Sequence, residues 1–298
     1  MFLQIRGHEK DLGGGFRVSR LLPSVACRTV GPFVFLDHFG PMKFQAGMNI
    51  DVRPHPHIGL ATVTYLFDGA IVHRDSLGSV QRIEPGAINW MSAGRGIVHS
   101  ERTPAELRQS SFGVHGLQLW VALPRDREED EPSFYHAAAE LLPRFTQQGV
   151  EVRVLVGTAF GHTSPVKTAS ETLFVAMRLG ADAEVDLPSV APELAVLAIG
   201  GDILIEGTRV ESGTLAVLER GRTVRLRATA GGDIVVIGGA ALDEPRFLWW
   251  NFVSSNKERI RKAAEDWANH RMGAVPGETD EIPLPGSGPD GAGEASTP

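Results

Sequence analysis

Residues 54–67 read PHPHIGLATVTYLF, and this stretch decides the fold class. Pro54 and Pro56 exclude helix around His55 and His57. The run that follows, residues 61–67, is short and rich in β-branched and aromatic side chains. Working outward, the same kind of run recurs at residues 87–91 (AINWM), 117–123 (LQLWVAL), 152–156 (VRVLV) and 234–237 (IVVI). With 34 glycines and 19 prolines the punctuation between runs is frequent. Many short strands separated by Gly, Pro and Asp turns predict an antiparallel, all-β sandwich or barrel rather than alternating strand–helix units. No glycine-rich phosphate loop opening a helix is present, and Gly13-Gly14-Gly15 reads as a turn.

Composition narrows the function. The 298 residues are 42% hydrophobic and 22% charged, enough to bury a sizeable core. The formal charge is −7, only five of the 29 cations are lysines, and like charges do not run together. Direct binding to a nucleic-acid backbone has no electrostatic basis in this balance. The single cysteine, Cys27, excludes an internal disulfide, a Cys-rich zinc site and a CxxC redox pair. With no apolar leader at the N-terminus, a cytoplasmic location is expected. The longest apolar stretch, residues 194–205, is interrupted by Gly200, Gly201 and Asp202, so no membrane span is expected.

A weak internal repeat divides the chain. Glu84-Pro85-Gly86 leads into the apolar Ala87-Ile88-Asn89-Trp90, and Glu211-Ser212-Gly213 leads into Thr214-Leu215-Ala216-Val217. The expected organisation is an N-terminal barrel at 1–125, a linker at 126–149, and a second barrel at 150–245. A helix with a return segment follows at 246–285, then a disordered tail at 286–298. The charged PRDREEDEP segment, residues 124–132, reads as exposed. Ser255 and Glu258 fit a capping box, Ile260, Ala263, Ala264 and Trp267 form an apolar helical stripe, and Gly273 reads as the stop.

The histidines are the candidates for chemistry. Of ten, the second barrel holds only His162. His55 and His57 are spaced i, i+2, which on a strand puts both rings on one face. His99 and Glu101 repeat that spacing with a carboxylate. Two such pairs on neighbouring strands would aim three imidazoles and one carboxylate at one centre, leaving two octahedral positions open. Such a set suits Fe(II), Mn(II), Co(II), Ni(II) or Cu(II) and not a closed structural zinc site. An isolated HxH pair is more often structural, so residue types and spacing alone leave ligation and a structural role both open.

The chain also resembles the pirin family of bicupins. The matching residues include Gly31-Pro32-Phe33-Val34-Phe35-Leu36-Asp37-His38-Phe39-Gly40-Pro41, Pro54-His55-Pro56-His57-Ile58-Gly59 and His73-Arg74-Asp75-Ser76-Leu77-Gly78. They continue through Trp90-Met91-Ser92-Ala93-Gly94-Arg95-Gly96-Ile97-Val98-His99-Ser100-Glu101, Gly116-Leu117-Gln118-Leu119-Trp120-Val121 and Asn251-Phe252-Val253-Ser254-Ser255. The resemblance covers about residues 15–285. It implies two antiparallel β-barrels of the double-stranded β-helix type, a C-terminal helix, and one metal in the N-terminal barrel. The family's ligands fall on His55, His57, His99 and Glu101. The implied metal is Fe(II), with Mn, Co, Ni, Cu or Zn as alternatives, and the second barrel is implied to be metal-free. One departure is Ala61, where a pirin-like chain usually has Glu.

The resemblance further implies a quercetin 2,3-dioxygenase-like oxidoreductase. Its substrates would be a flavonol such as quercetin and O₂, with carbon monoxide released, Glu101 as general base, and the protein a monomer. The alternative it carries is a non-enzymatic, iron-dependent redox regulator of a transcription factor or metabolic enzyme. Among other residues, His73, beside Arg74-Asp75-Ser76, reads as part of a structural hydrogen-bond cluster rather than as a fifth ligand, and His38 as satisfying a buried turn. Arg95 reads as a loop contact or a steering charge. Phe44 and Met48 read as pocket wall or core, and His115 is open.

Overall fold

The computed structural model describes residues 2–13, 15–286 and 288–289. Its strands pair antiparallel, and each β-rich run falls inside a strand or overruns one end of it by a single residue: Leu60–Asp68, Ile88–Ser92, Phe112–Ala122, Val150–Val156 and Gly232–Gly239. The predicted repeat is present. Ala87 N donates to Glu84 O and Thr214 N to Glu211 O, closing equivalent turns before their strands. Both turns need a residue at positive φ, supplied by Gly86 (85°) and Gly213 (78°).

The chain divides into two compact units, each assembled from separate stretches of sequence. One unit joins residues 2–10 and 19–38 to 137–242; the other joins 11–18 and 39–136 to the described residues from 243 on. The first segment leaves the N-terminal barrel because Leu3–Arg6 pairs in register with Thr214–Val217. The predicted linker carries strands at Ser133–Ala137 and Arg144–Gln147. The predicted tail lies almost entirely outside the described residues.

The unit built on 137–242 sets a seven-stranded sheet against a four-stranded one. Its core is aliphatic, with Val152, Val154, Val175, Val196, Leu226 and Val236 fully buried. The other unit has a four-stranded sheet ordered Val52–His57, Ile97–Arg102, Ile71–Asp75, Val80–Ile83. Its larger sheet includes Ile88–Ser92, Leu60–Asp68 and Phe112–Ala122 side by side. A hydrophobic cluster of Ile58, Val98, Trp249, Trp250 and Phe252 takes in the helix stripe Ile260, Ala263, Ala264 and Trp267, all four buried as the periodicity predicts.

That helix, Lys257–Ala268, is capped differently from the expectation. The N-cap is Asn256, whose Oδ1 accepts from Glu258 N at 2.9 Å. Ser255 is diverted, because its N–H and hydroxyl both donate to Glu128. The helix ends at Asn269 rather than at Gly273. Asn256→Ala is expected to cost about 1 kcal/mol in urea unfolding, and Ser255→Ala to leave the helix cap itself intact. Among the described residues no helix is long and apolar enough to cross a membrane.

Candidate metal centre

The Val52–His57 and Ile97–Arg102 strands are neighbours, with His99 opposite His55 and Ile97 opposite His57. Alternation on each strand therefore puts the three imidazoles on one face. Their ligating nitrogens all lie within 4.8 Å of one another, and among the described residues no other group of His, Cys, Asp or Glu was found to do this. His57 Nε2 and His99 Nε2 are 3.1 Å apart. All three rings are buried, and desolvation pulls His55 down to about 4 and His57 and His99 well below the ordinary histidine value. At neutral pH each ring is thus neutral and has one lone pair to offer.

The lone pairs have a direction. His55 Nδ1 lies 2.8 Å from Arg53 O, and His57 Nδ1 lies 3.0 Å from Asn251 O. A carbonyl oxygen only accepts, so in His55 and His57 Nδ1 carries the proton and Nε2 carries the lone pair. A ring anchored through one nitrogen and free at the other is how metal-ligating histidines are held. His99 Nε2 stands 3.1 Å from His57 Nε2 in a dry site, close enough for one divalent cation to be shared by both nitrogens. The donor set fits such a cation.

Glu101 does not join the three-histidine set. It is on the right face, however. Ser100 Oγ donates to Glu278 Oε1 at 2.5 Å and Arg102 Nε to Glu278 Oε2 at 3.0 Å, so Ser100 and Arg102 point the other way. The register slips between His99 and Glu101, which sits opposite Val52. Pro54 explains the slip, since it has no N–H for the ladder. Desolvation pushes the Glu101 carboxyl up to about 7.

The back of these strands is held by the chain's C-terminal portion. Ile282 N donates to Pro54 O, beside His55, while Glu278 grips the residues flanking Glu101. Trp267 Nε1 donates to Ile282 O at 2.9 Å and ties this segment to the helix.

The remaining candidates divide. His73 Nε2 is 2.9 Å from Asp75 Oδ2, the predicted hydrogen-bond cluster, and His73 is outside the three-histidine set. Arg95 makes an exposed ion pair with Glu131, a loop contact. Phe44 stacks on Phe112 at 5.3 Å within the core, and Met48 is exposed. His38 is buried, and the His115 ring lies 4.8 Å from that of Phe67. Ala61 is fully buried, in register with Ser92 and Val121, and brings no polar group. Two contributors were not singled out by sequence reasoning: the Asn251 carbonyl, and Trp120, whose ring stands edge-on to His57 at 5.2 Å. Trp120 and Asn251 lie in segments quoted for the resemblance, which was the only available signal.

Comparison with known proteins bears on the family and the fold. The family model described as pirin matches residues 15–121, and that described as the pirin C-terminal cupin domain matches 174–273. A "Pirin-like protein" of Caulobacter vibrioides is 45% identical over 280 residues, covering 93% of this chain and 96% of the relative. A Pseudomonas aeruginosa protein provisionally named quercetin 2,3-dioxygenase is 37% identical over 267 residues, covering 89% and 82%. A crystal structure of quercetin 2,3-dioxygenase from Acinetobacter baumannii superposes with a TM-score of 0.89 at 34% identity, covering 95% of each chain.

Proposed function

We propose that this chain, which belongs to the pirin family and has its all-β bicupin fold, is a metal-dependent dioxygenase that cleaves a flavonol with O₂. The observation that carries the reading is the convergence of three buried, neutral imidazoles with ligand nitrogens within 4.8 Å of one another, two of them anchored through Nδ1 so that Nε2 is free. His55, His57 and His99 would hold a divalent metal, iron first, with Glu101 as the oxygen donor on the same face. The names of the relatives at 37% and 34% identity support the flavonol as substrate class.

A divalent metal in this site supplies Lewis-acid and redox chemistry. Glu101 takes the proton of the flavonol 3-hydroxyl onto its carboxylate. A bound dication would favour the charged carboxylate, the form that accepts a proton. The edge of Trp120 walls the His57 side and helps keep water out. Overall, both oxygen atoms of O₂ enter the product, the central ring opens, and its C3 carbon leaves as carbon monoxide.

Protein loaded anaerobically with Fe(II), or with Ni(II), is expected on admission of air to bleach quercetin, consume O₂ and release carbon monoxide. If both forms leave quercetin untouched above a no-protein blank, the dioxygenase reading is wrong, and the redox-regulator reading replaces it.

A further inference from the structure

We infer that Asp75 and His73 form a positioning relay that commits His99 to the one tautomer able to bind metal. This deepens the metal reading above and rests on it.

The three imidazoles are not held alike. His55 and His57 are each fixed by a backbone carbonyl, whereas His99 is fixed by side chains. The Ile71–Asp75 strand pairs with Ile97–Arg102, placing Asp75 opposite His99 and His73 opposite Glu101. Asp75 is completely buried and its two oxygens are divided. Oδ1 accepts from Leu77 N at 2.9 Å and Ser79 N at 3.0 Å, both in the turn that follows the strand. That leaves Oδ2 for His73 Nε2 at 2.9 Å. The His73 ring is clamped in plane by Phe134, stacked at 4.2 Å and 10°.

The protons then follow in sequence for a neutral His73. A carboxylate only accepts, so the one ring hydrogen sits on His73 Nε2 and His73 Nδ1 carries the lone pair. His73 Nδ1 lies 3.4 Å from His99 Nδ1, which then donates. His99 Nε2 is left with its lone pair, 3.1 Å from His57 Nε2. A free neutral imidazole populates two tautomers, and one of them would put a proton on Nε2, where the metal must bind. The relay removes that tautomer.

Asp75→Asn inverts the relay with little change in shape. The amide oxygen keeps the two turn bonds, so the NH₂ group faces His73 Nε2. His73 must accept there and carry its proton on Nδ1. Two N–H groups would then confront each other, and His99 is driven to protonate Nε2. His73→Phe keeps the ring on Phe134 but removes the acceptor. His73→Gln returns an acceptor through its side-chain oxygen.

The test uses Co(II) with the full-length protein, read by chelator competition and by the visible absorption of bound Co(II), with far-UV circular dichroism as the check on folding. D75N and H73F are each expected to weaken Co(II) binding by about 10–100-fold, the usual cost of losing an outer partner of a ligating histidine. Adding D75N to H73F should cause no further loss, because the relay is already cut. H73Q should recover much of the affinity.

Wild-type affinity in D75N, or losses that multiply in the double variant, would overturn the relay while leaving the metal site standing. If D75N does not fold, H73F against H73Q decides: equal affinities overturn the relay, and recovery by H73Q upholds it. Wild-type protein that binds no Co(II) removes relay and metal site together. The expected pattern without quercetin cleavage upholds the relay and removes only the dioxygenase reading.

Discussion

Replacing His57 by alanine is expected to abolish metal binding and with it all flavonol turnover. The His57 ring is held from three directions. Its Nε2 faces His99 at 3.1 Å, its Nδ1 engages Asn251 O, and Trp120 stands against its ring. The loss in affinity should exceed the roughly 100-fold that removal of an outer partner costs, because here a donor atom itself disappears. The substitution also strands the buried Asn251 carbonyl, a penalty of about 1–3 kcal/mol. A modest fall in the unfolding midpoint should therefore accompany the loss of metal. Metal analysis of the purified variant beside wild type decides the matter. Stoichiometric metal in the variant would remove this residue from the site.

Arg246→Met should destabilise the protein by about 3–5 kcal/mol, the usual cost of stranding one partner of a buried ion pair. The Arg246 side chain is 1% exposed and Glu128 7%. Arg246 Nε meets Glu128 Oε1 at 2.9 Å, and the same guanidinium donates to Leu123 O and Glu244 O. Methionine keeps the aliphatic stem but leaves a buried carboxylate with only Ser254 and Ser255 as donors. An exposed pair such as Arg144–Glu151 provides the contrast, since solvent screening leaves its removal with little effect. Urea unfolding of both variants tests the difference. Equal, small losses would show that the buried pair is not a structural anchor.

Glu128 also marks where reading the sequence stopped working. It sits in a segment whose density of charge predicts exposure, and composition cannot reveal that one carboxylate of such a run turns inward to a partner 118 residues away. The i, i+2 spacing of His55/His57 and His99/Glu101 was legible because strand geometry alone converts it into a shared face. The helix stripe was legible for the same local reason. Its cap was not, because Ser255 and Asn256 are equally good capping residues. The choice of Asn256 follows from Glu128 having already taken Ser255. The placement of the first strand was not legible because the Leu3–Arg6 pairing is entirely nonlocal. His57's anchor is a main-chain oxygen 194 residues away, and main-chain atoms leave no trace in residue identity.

The segment that braces the backs of the ligand strands gives the site an order in time. All four candidate donors are part of the nascent chain once residue 101 is made. The carbonyl that sets His57 comes from residue 251, and the grip on Pro54, Ser100 and Arg102 comes from residues 278 and 282. A nascent chain therefore carries its donors through most of translation before it can hold them in place. Cation loading belongs after synthesis, and a fragment ending at residue 125 would be a poor stand-in for the metal-binding half.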